Sequence, residues 1–152
     1  MKPLQQPGQT TSLDLRELQK TPGFMIRLVQ LKFFEGFYQH FAEFGLTPAT
    51  YAILTLIRDN PGIPPSTVAS LLRLKLPNLI KILNELESTA VIRRNRSKAD
   101  RRAVELILTP KGMKVIQEAA STTEPYNRQM LAPLSESEQG KLLEFLNRIV
   151  SL

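Results

Sequence analysis

The chain has 152 residues, of which 42% are apolar and 22% charged, a composition that fits one folded domain with a sizeable core. No cysteine is present, which excludes disulfides, zinc–thiolate sites and thiol nucleophiles. The net charge is +6, and all of the excess lies in residues 73–102, which hold nine cations and three acids. We therefore expect a surface that binds a polyanion, with nucleic acid as the first candidate.

The start of the chain is polar and has no apolar signal-peptide region, and every apolar run is far shorter than the ~20 residues of a membrane-spanning helix. We therefore expect a cytoplasmic protein with a disordered leader over residues 1–12.

Threonine–proline pairs then mark helix starts, because the hydroxyl can cap the helix and proline suits its first turn. These pairs are Thr21-Pro22, Thr47-Pro48 and Thr109-Pro110.

Two shorter helices are predicted between the second and third of these starts. Pro64-Pro65 leads into the first, which ends near Leu72. Residues 76–87 form the second, in which five mostly polar residues fall in an arc of about 120° at 100° per residue. The arc holds Pro77, Asn78, Lys81, Asn84 and Glu85, and the opposite side holds Leu76, Leu79, Ile80, Ile82, Leu83 and Leu86. This second helix is therefore amphipathic.

A β-hairpin with a charged tip is predicted next. Val91 and Ile92 begin a strand, residues 93–102 form a basic turn, and residues 104–108 alternate as a second strand. A short hairpin brings its guanidinium groups together, and a polyanion would relieve their repulsion, although a charge run can also be an ordinary solvated loop.

The chain then continues into two more helices. Pro125 is expected to kink the long helix after Thr109. Ser135 and Glu138 form a capping box that starts the last helix.

Four motifs occur in order along these elements. They are Gly45-Leu46-Thr47-Pro48 followed by Tyr51 and Leu54, Leu86-Glu87, Asp100-Arg101-Arg102-Ala103, and Leu108-Thr109-Pro110-Lys111-Gly112. Together they resemble the MarR family of bacterial transcription regulators, from about Pro22 to Val150. The resemblance implies a mainly α fold with a small β-hairpin wing, a winged helix-turn-helix with N- and C-terminal dimerisation helices. We expect a single domain over 13–152, with the winged helix at about 46–109 and dimerisation helices at about 22–44 and 110–152.

The resemblance also implies a function. We expect a ligand-responsive homodimer that binds a roughly palindromic double-stranded DNA operator, and acts as a repressor released by a small aromatic acid or its thioester. The alternatives are a non-sequence-specific architectural DNA-binding protein and a winged-helix protein-interaction module. Enzyme activity is not expected, because the chain has one histidine, no phosphate-binding glycine loop and no cluster at metal-ligand spacing. We expect no cofactor and no metal.

The amphipathic helix is the predicted recognition helix, in which Asn78 could pair with adenine and Lys81 could reach guanine or phosphate. The predicted DNA contacts are Lys75, Pro77, Asn78, Lys81, Arg93, Arg94, Arg96, Lys98, Arg101 and Arg102. Asp100 and Arg102 match the family's Asp-x-Arg motif, and Asp100 is expected to orient neighbouring arginines. The chain departs from the family at Lys75, Pro77, Asn78 and Ile80, where small hydroxyl residues are usual. It also has Ala90 at a common glycine position, which disfavours a left-handed helix cap.

Six of the ten aromatic residues lie within residues 33–44 of the first long helix. Either the core and a dimer interface account for all of them, or some line a pocket for an aromatic ligand. The resemblance implies such a pocket between the dimer region and the winged helix, and the candidate residues are Arg27, Phe33, Phe37, His40 and Tyr51. An apolar stripe of Leu142, Leu146 and Ile149 on the last helix is the predicted dimer interface.

Overall fold

The computed structural model describes residues 14–96 and 104–150. In these ranges, α1 (Arg16–Gln19) and α2 (Pro22–Phe41) are followed by a short 3₁₀ helix (Ala42–Phe44), then by α3 (Pro48–Asp59), α4 (Pro65–Leu71) and α5 (Leu76–Ser88). The hairpin strands β1 (Ile92–Arg96) and β2 (Val104–Leu108) lead into α6 (Pro110–Met130) and α7 (Glu136–Val150). The predicted mainly α fold with a small hairpin is confirmed. Among the described helices, none combines the length and apolar character needed to span a membrane.

Side-chain caps fix three of the predicted helix starts. The Thr47 hydroxyl accepts from the Thr50 backbone N–H at 3.1 Å, and the Thr109 hydroxyl accepts from Gly112 at the same distance. The Ser135 backbone N–H donates to the Glu138 carboxylate at 2.8 Å, as the capping box requires. The fourth predicted start is that of α2, which begins at Pro22. There the Thr21 hydroxyl donates to the Glu17 carbonyl, which precedes the helix in the chain.

The described residues form two compact units whose boundary lies inside α2, the first ending at Phe33 and the second beginning at Phe34. In the first unit, apolar side chains of α2 are exposed. They are Met25, Ile26, Leu28, Val29 and Leu31. The second unit has a core of fully buried side chains from α2 to α6. They include Phe41, Ile53, Leu54, Ile57, Val68, Leu79, Leu83, Ile92, Leu106 and Ile116. The first unit thus presents apolar surface, whereas the second has the packed core of a domain.

An aromatic cluster forms one end of the second unit's core. The rings of Phe37 and Phe41 stack in parallel with centroids 4.1 Å apart. Tyr51 from α3 and Tyr126 from α6 approach the Phe41 ring edge-on at 5.4 and 5.7 Å. Burial raises the pKa of the Tyr126 hydroxyl above its ordinary value. The cluster therefore packs the C-terminal part of α2 against α3 and α6.

The hairpin differs from the prediction in where its first strand ends. β1 and β2 pair antiparallel from Ile92 opposite Leu108 to Arg96 opposite Val104. Residues 93–96, which the sequence placed in the basic turn, therefore belong to the strand. Leu106, which is 0% exposed, lies opposite Arg94, so a buried residue of β2 pairs with the charged stretch.

The turn from α5 into β1 corrects a second prediction. Ala90 has a φ of 57°, so it adopts the left-handed conformation that was disfavoured for a residue with a Cβ. The Thr109 hydroxyl donates to the Ala90 carbonyl at 2.7 Å, and a Cβ on Gly112 would lie 2.0 Å from the Val91 carbonyl oxygen. The start of α6 therefore lies directly against this turn and holds it in place.

Helix α6 runs through Pro125 to Met130 as one helix. Ser121, whose carbonyl loses its usual amide partner at Pro125, is exposed, so this carbonyl can be hydrated. The kink expected at Pro125 stays a prediction.

Candidate nucleic-acid interface

Helices α4 and α5 form the helix-turn-helix. The connecting turn spans residues 72–75, and Arg73 within it has a φ of 51°, a left-handed conformation that is uncommon for a residue other than glycine. Its backbone N–H donates to the Ser70 carbonyl at 3.2 Å. This turn sets the direction in which α5 leaves α4.

Helix α5 buries its apolar face and exposes its polar arc. Leu79 and Leu83 are 0% exposed, whereas Pro77, Asn78 and Lys81 are exposed. Lys75, just before the helix, is exposed as well. Leu76 differs from the prediction, because its side chain is 45% exposed although the helical period assigned it to the apolar side. The first turn of α5 therefore presents a mixed polar and apolar surface beside two lysines.

The described arginines of the wing differ in their surroundings. Arg93 and Arg96 are exposed, whereas the Arg94 side chain is only 25% exposed. Arg94 donates to the Asn84 side-chain oxygen at 2.7 Å, and its guanidinium lies 3.4 Å from the Glu87 carboxylate. Arg94 thus has partners on α5, whereas Arg93 and Arg96 offer their side chains to solvent.

Sequence reasoning grouped all of these arginines together and missed Asn84 and Glu87 as partners. A signal was available: side chains alternate along a strand, and Arg94 is two residues beyond the buried Ile92. The predicted wing residues Lys98, Arg101 and Arg102, and the orienting residue Asp100, lie outside the described residues.

The candidate effector residues divide between the two units. Arg27, which is exposed, and Phe33, which is half-buried, belong to the first unit. In the second unit, Phe37 is a core residue of the aromatic cluster. The Tyr51 hydroxyl lies 2.8 Å from the Thr123 hydroxyl. Whether any of these side chains contacts a ligand stays a prediction.

Both ring nitrogens of His40 have oxygen neighbours. Nδ1 lies 2.8 Å from the Gly36 carbonyl and Nε2 lies 2.9 Å from the Gln129 side-chain oxygen. The ring also packs edge-on against Tyr126 with centroids 5.6 Å apart. His40 therefore links α2 to α6 within the second unit, and the sequence gave no indication of Gln129 as its partner.

The predicted dimer stripe is on α7, which buries none of its residues in the single chain. Leu142 is half-buried, Leu146 is 38% exposed and Ile149 is 68% exposed. Leu143, Phe145 and Val150 enlarge this apolar surface. Large apolar side chains in one exposed patch mark an interaction surface.

Within residues 14–96 and 104–150, no cluster of three or more acidic or histidine side chains could hold a metal ion.

Comparison with known proteins gives consistent results. The model of the MarR family matches residues 46–104. A putative transcriptional regulatory protein for the hcr operon of Thauera aromatica is 30% identical over 148 residues, which cover 93% of this chain and 89% of that protein.

Two solved structures of the transcriptional repressor CouR are also similar. The one bound to a 23-mer DNA duplex has a TM-score of 0.87 at 30% identity, covering 92% of this chain and 99% of the other. The one bound to p-coumaroyl-CoA has a TM-score of 0.84 at 29% identity, covering 91% and 98%. These relatives are transcription regulators and not enzymes, which agrees with the prediction from sequence.

Proposed function

Because this chain belongs to the MarR family of transcription regulators, we propose that it binds a roughly palindromic operator as a homodimer and represses the adjacent genes. The observation that carries this proposal is the exposed polar start of α5, with Asn78 and Lys81, next in the chain to a strand that exposes Arg93 and Arg96. A helix can enter the major groove while the wing's cations reach phosphates. The similarity to CouR bound to a DNA duplex supports the proposal that α5 and the wing contact DNA. A repressor of this kind acts in the cytoplasm, where bacterial DNA lies.

The exposed apolar surfaces support a homodimer. The exposed face of α7 and the exposed apolar residues of α2 would each be costly in water, and burial stabilises by about 25 cal/mol per Å². Two recognition helices in one dimer can enter successive major grooves if they lie about 34–36 Å apart. A two-fold protein would therefore bind a two-fold operator.

Footprinting on the DNA upstream of the chain's own gene tests the proposal. We expect a bounded protected site with two half-sites about one helical turn apart. Protection that extends uniformly along the DNA would instead support an architectural protein. Failure to bind any DNA at low salt would leave the protein-interaction module as the explanation for the basic segment.

We further propose that an aromatic carboxylate or its coenzyme A thioester releases the operator. The support is the aromatic cluster around Phe37 and Tyr51, together with the p-coumaroyl-CoA found on CouR. A coupling of 1–3 kcal/mol would reduce operator affinity about 5- to 150-fold, and operator must weaken ligand binding by the same factor.

Titration with p-coumaroyl-CoA, p-coumarate and coenzyme A alone tests this proposal. Each probe is titrated into free dimer and into dimer saturated with operator. Equal affinity of every probe for both forms would contradict coupling and leave the aromatic residues as core and interface. If coupling is found, His40→Gln and Tyr51→Phe test whether these side chains contact the ligand.

A further inference from the structure

One arginine of the wing strand is oriented towards the recognition helix. In β1, Arg94 is paired with Leu106, which is 0% exposed, and it lies on the same side of the strand as Ile92, which is 1% exposed. The neighbouring Arg93 lies on the other side and is exposed. The two adjacent arginines therefore occupy different environments and can have different functions.

Besides its pairing with Leu106 in the hairpin, Arg94 makes three polar contacts with α5. Its backbone N–H donates to one oxygen of the Glu87 carboxylate at 3.3 Å, and its guanidinium lies 3.4 Å from the other oxygen. A second guanidinium nitrogen donates to the Asn84 side-chain oxygen at 2.7 Å. Glu87 thus binds both the backbone and the side chain of one residue, and a planar guanidinium holds such partners in a fixed geometry.

We propose that Arg94 and Glu87 are positioning residues, which hold the wing at a fixed distance and angle to the recognition helix and so allow both to engage the operator together. This inference rests on the proposed function. With its charge compensated by Glu87, Arg94 contributes little to the attraction of phosphate. The cations that meet phosphate are then the other basic residues of the wing, and Arg94 acts through their placement.

The proposal makes an unusual prediction for Glu87. Electrostatics alone predicts that removing an acid from a DNA-binding face strengthens DNA binding, because a carboxylate repels phosphate. If Glu87 positions the wing through Arg94, its removal instead weakens binding. The two explanations therefore differ in the sign of the effect.

The experiment measures operator affinity of the full-length dimer at several salt concentrations, for Glu87→Gln and for the matched control Glu85→Gln. Both changes remove one negative charge from α5 and keep the side chain's length. We expect Glu87→Gln to bind about 3- to 10-fold more weakly, the scale of one ordinary hydrogen bond, because glutamine loses the charge but keeps an acceptor oxygen. Glu85→Gln should bind as tightly as the original chain or more tightly.

The salt dependence separates positioning from a merely structural role. Glu87 has no positive charge with which to neutralise phosphate, so a smaller salt slope in Glu87→Gln reports that other cations have lost their contacts, at about 0.9 per contact. Arg94→Lys provides a second test, because lysine keeps the charge but cannot reproduce the two-sided guanidinium geometry. We expect Arg94→Lys to show the same weaker binding and reduced slope.

Tighter or unchanged binding by Glu87→Gln, equal to that of Glu85→Gln, would overturn the proposal. Full affinity and slope in Arg94→Lys would also overturn it, by showing that only the charge of Arg94 matters. Either result would leave the proposed function intact, because the original chain would still give its bounded footprint. If the original chain gives no bounded footprint, the proposed function is wrong and this inference is wrong with it.

Discussion

Helices α5 and α7 are both short and amphipathic, but the apolar face of α5 is buried whereas that of α7 is exposed. In α5, Leu79 and Leu83 are 0% exposed, so the apolar face is covered by the chain's own core. In α7, Leu143 is 58% exposed and Ile149 is 68% exposed. Amphipathic periodicity therefore identifies a face but does not say what covers it. Both the polar face of α5 and the apolar face of α7 are exposed in the single chain, and we propose that the first binds DNA and the second a partner subunit.

Charges on the apolar face of α7 should have the largest effect, because they act on dimerisation. We expect Leu146→Glu combined with Ile149→Glu to give a monomer in sedimentation and to lower operator affinity by at least about 100-fold, since one half-site then binds without the other. Lys141→Glu, on an exposed polar position of the same helix, is the control and should remain dimeric. A variant that remains a dimer would contradict the proposed interface, and a folded monomer that binds the operator with full affinity would contradict binding to two half-sites.

Truncation in the core of α5 should act on folding. Leu83→Ala is expected to lower the free energy of unfolding by about 2–5 kcal/mol, because it removes a fully buried side chain. Urea unfolding should show this loss at every protein concentration. Ile149→Ala should instead cause no loss at low concentration, where both proteins are monomers, and a loss that appears as rising concentration lets the original chain dimerise, because it weakens association. If the loss of unfolding free energy depended on concentration in the same way in both variants, α5 and α7 would not differ in what covers their apolar faces.

On the polar face of α5, a smaller and more selective effect is expected. Asn78→Ala should weaken the free energy of binding to the preferred operator by about 1–3 kcal/mol, the value of one base-pair contact. It should also relax discrimination at one or two base pairs. Binding to random DNA is the internal control and should hardly change. An equal loss on random DNA would show that Asn78 contacts the DNA backbone.

Features that depend on neighbouring residues in the sequence could be predicted. The caps at Thr47, Thr109 and Ser135 each involve a residue three positions away, so local sequence is sufficient to identify them. The recognition helix followed in the same way from the 3.6-residue period of its leucines. The motifs that resemble the MarR family then placed these elements in the correct architecture.

Features that depend on contacts between residues far apart in the chain could not be predicted from the sequence. The left-handed Ala90 is held by the start of α6, about twenty residues later, through the Thr109 hydroxyl and the close approach of Gly112 to Val91. The pairing of Arg94 with α5 needed both the strand's alternation and the position of Glu87. Composition grouped the wing arginines by charge, whereas packing places Arg94 against α5 and leaves Arg93 and Arg96 exposed.

Ala90 offers a test of this tertiary control. A left-handed conformation costs a residue with a Cβ roughly 1–2 kcal/mol, and glycine avoids that cost but loses more backbone entropy on folding. We expect Ala90→Gly to raise the free energy of unfolding by about 0.5–1 kcal/mol. Ala52→Gly, inside α3, is the control and should lower it by about 1 kcal/mol. Destabilisation by both variants would show that the Ala90 backbone is not strained.

The smallest expected effect concerns the exposed start of α7, which the capping box fixes by local contacts alone. Hydrogen bonds from the Ser135 hydroxyl and backbone N–H lower the pKa of the Glu138 carboxyl below its ordinary value of 4.5. Because the folded pKa is the lower one, this contribution is complete above pH 4.5 and is lost as the pH falls through the folded value. Thermal melting should therefore show a slightly smaller loss of stability on acidification in Glu138→Gln than in the original chain. Glu136→Gln removes an exposed acid from the same turn outside the box, and if it flattened the acid response equally, the effect would come from general charge and not from the cap.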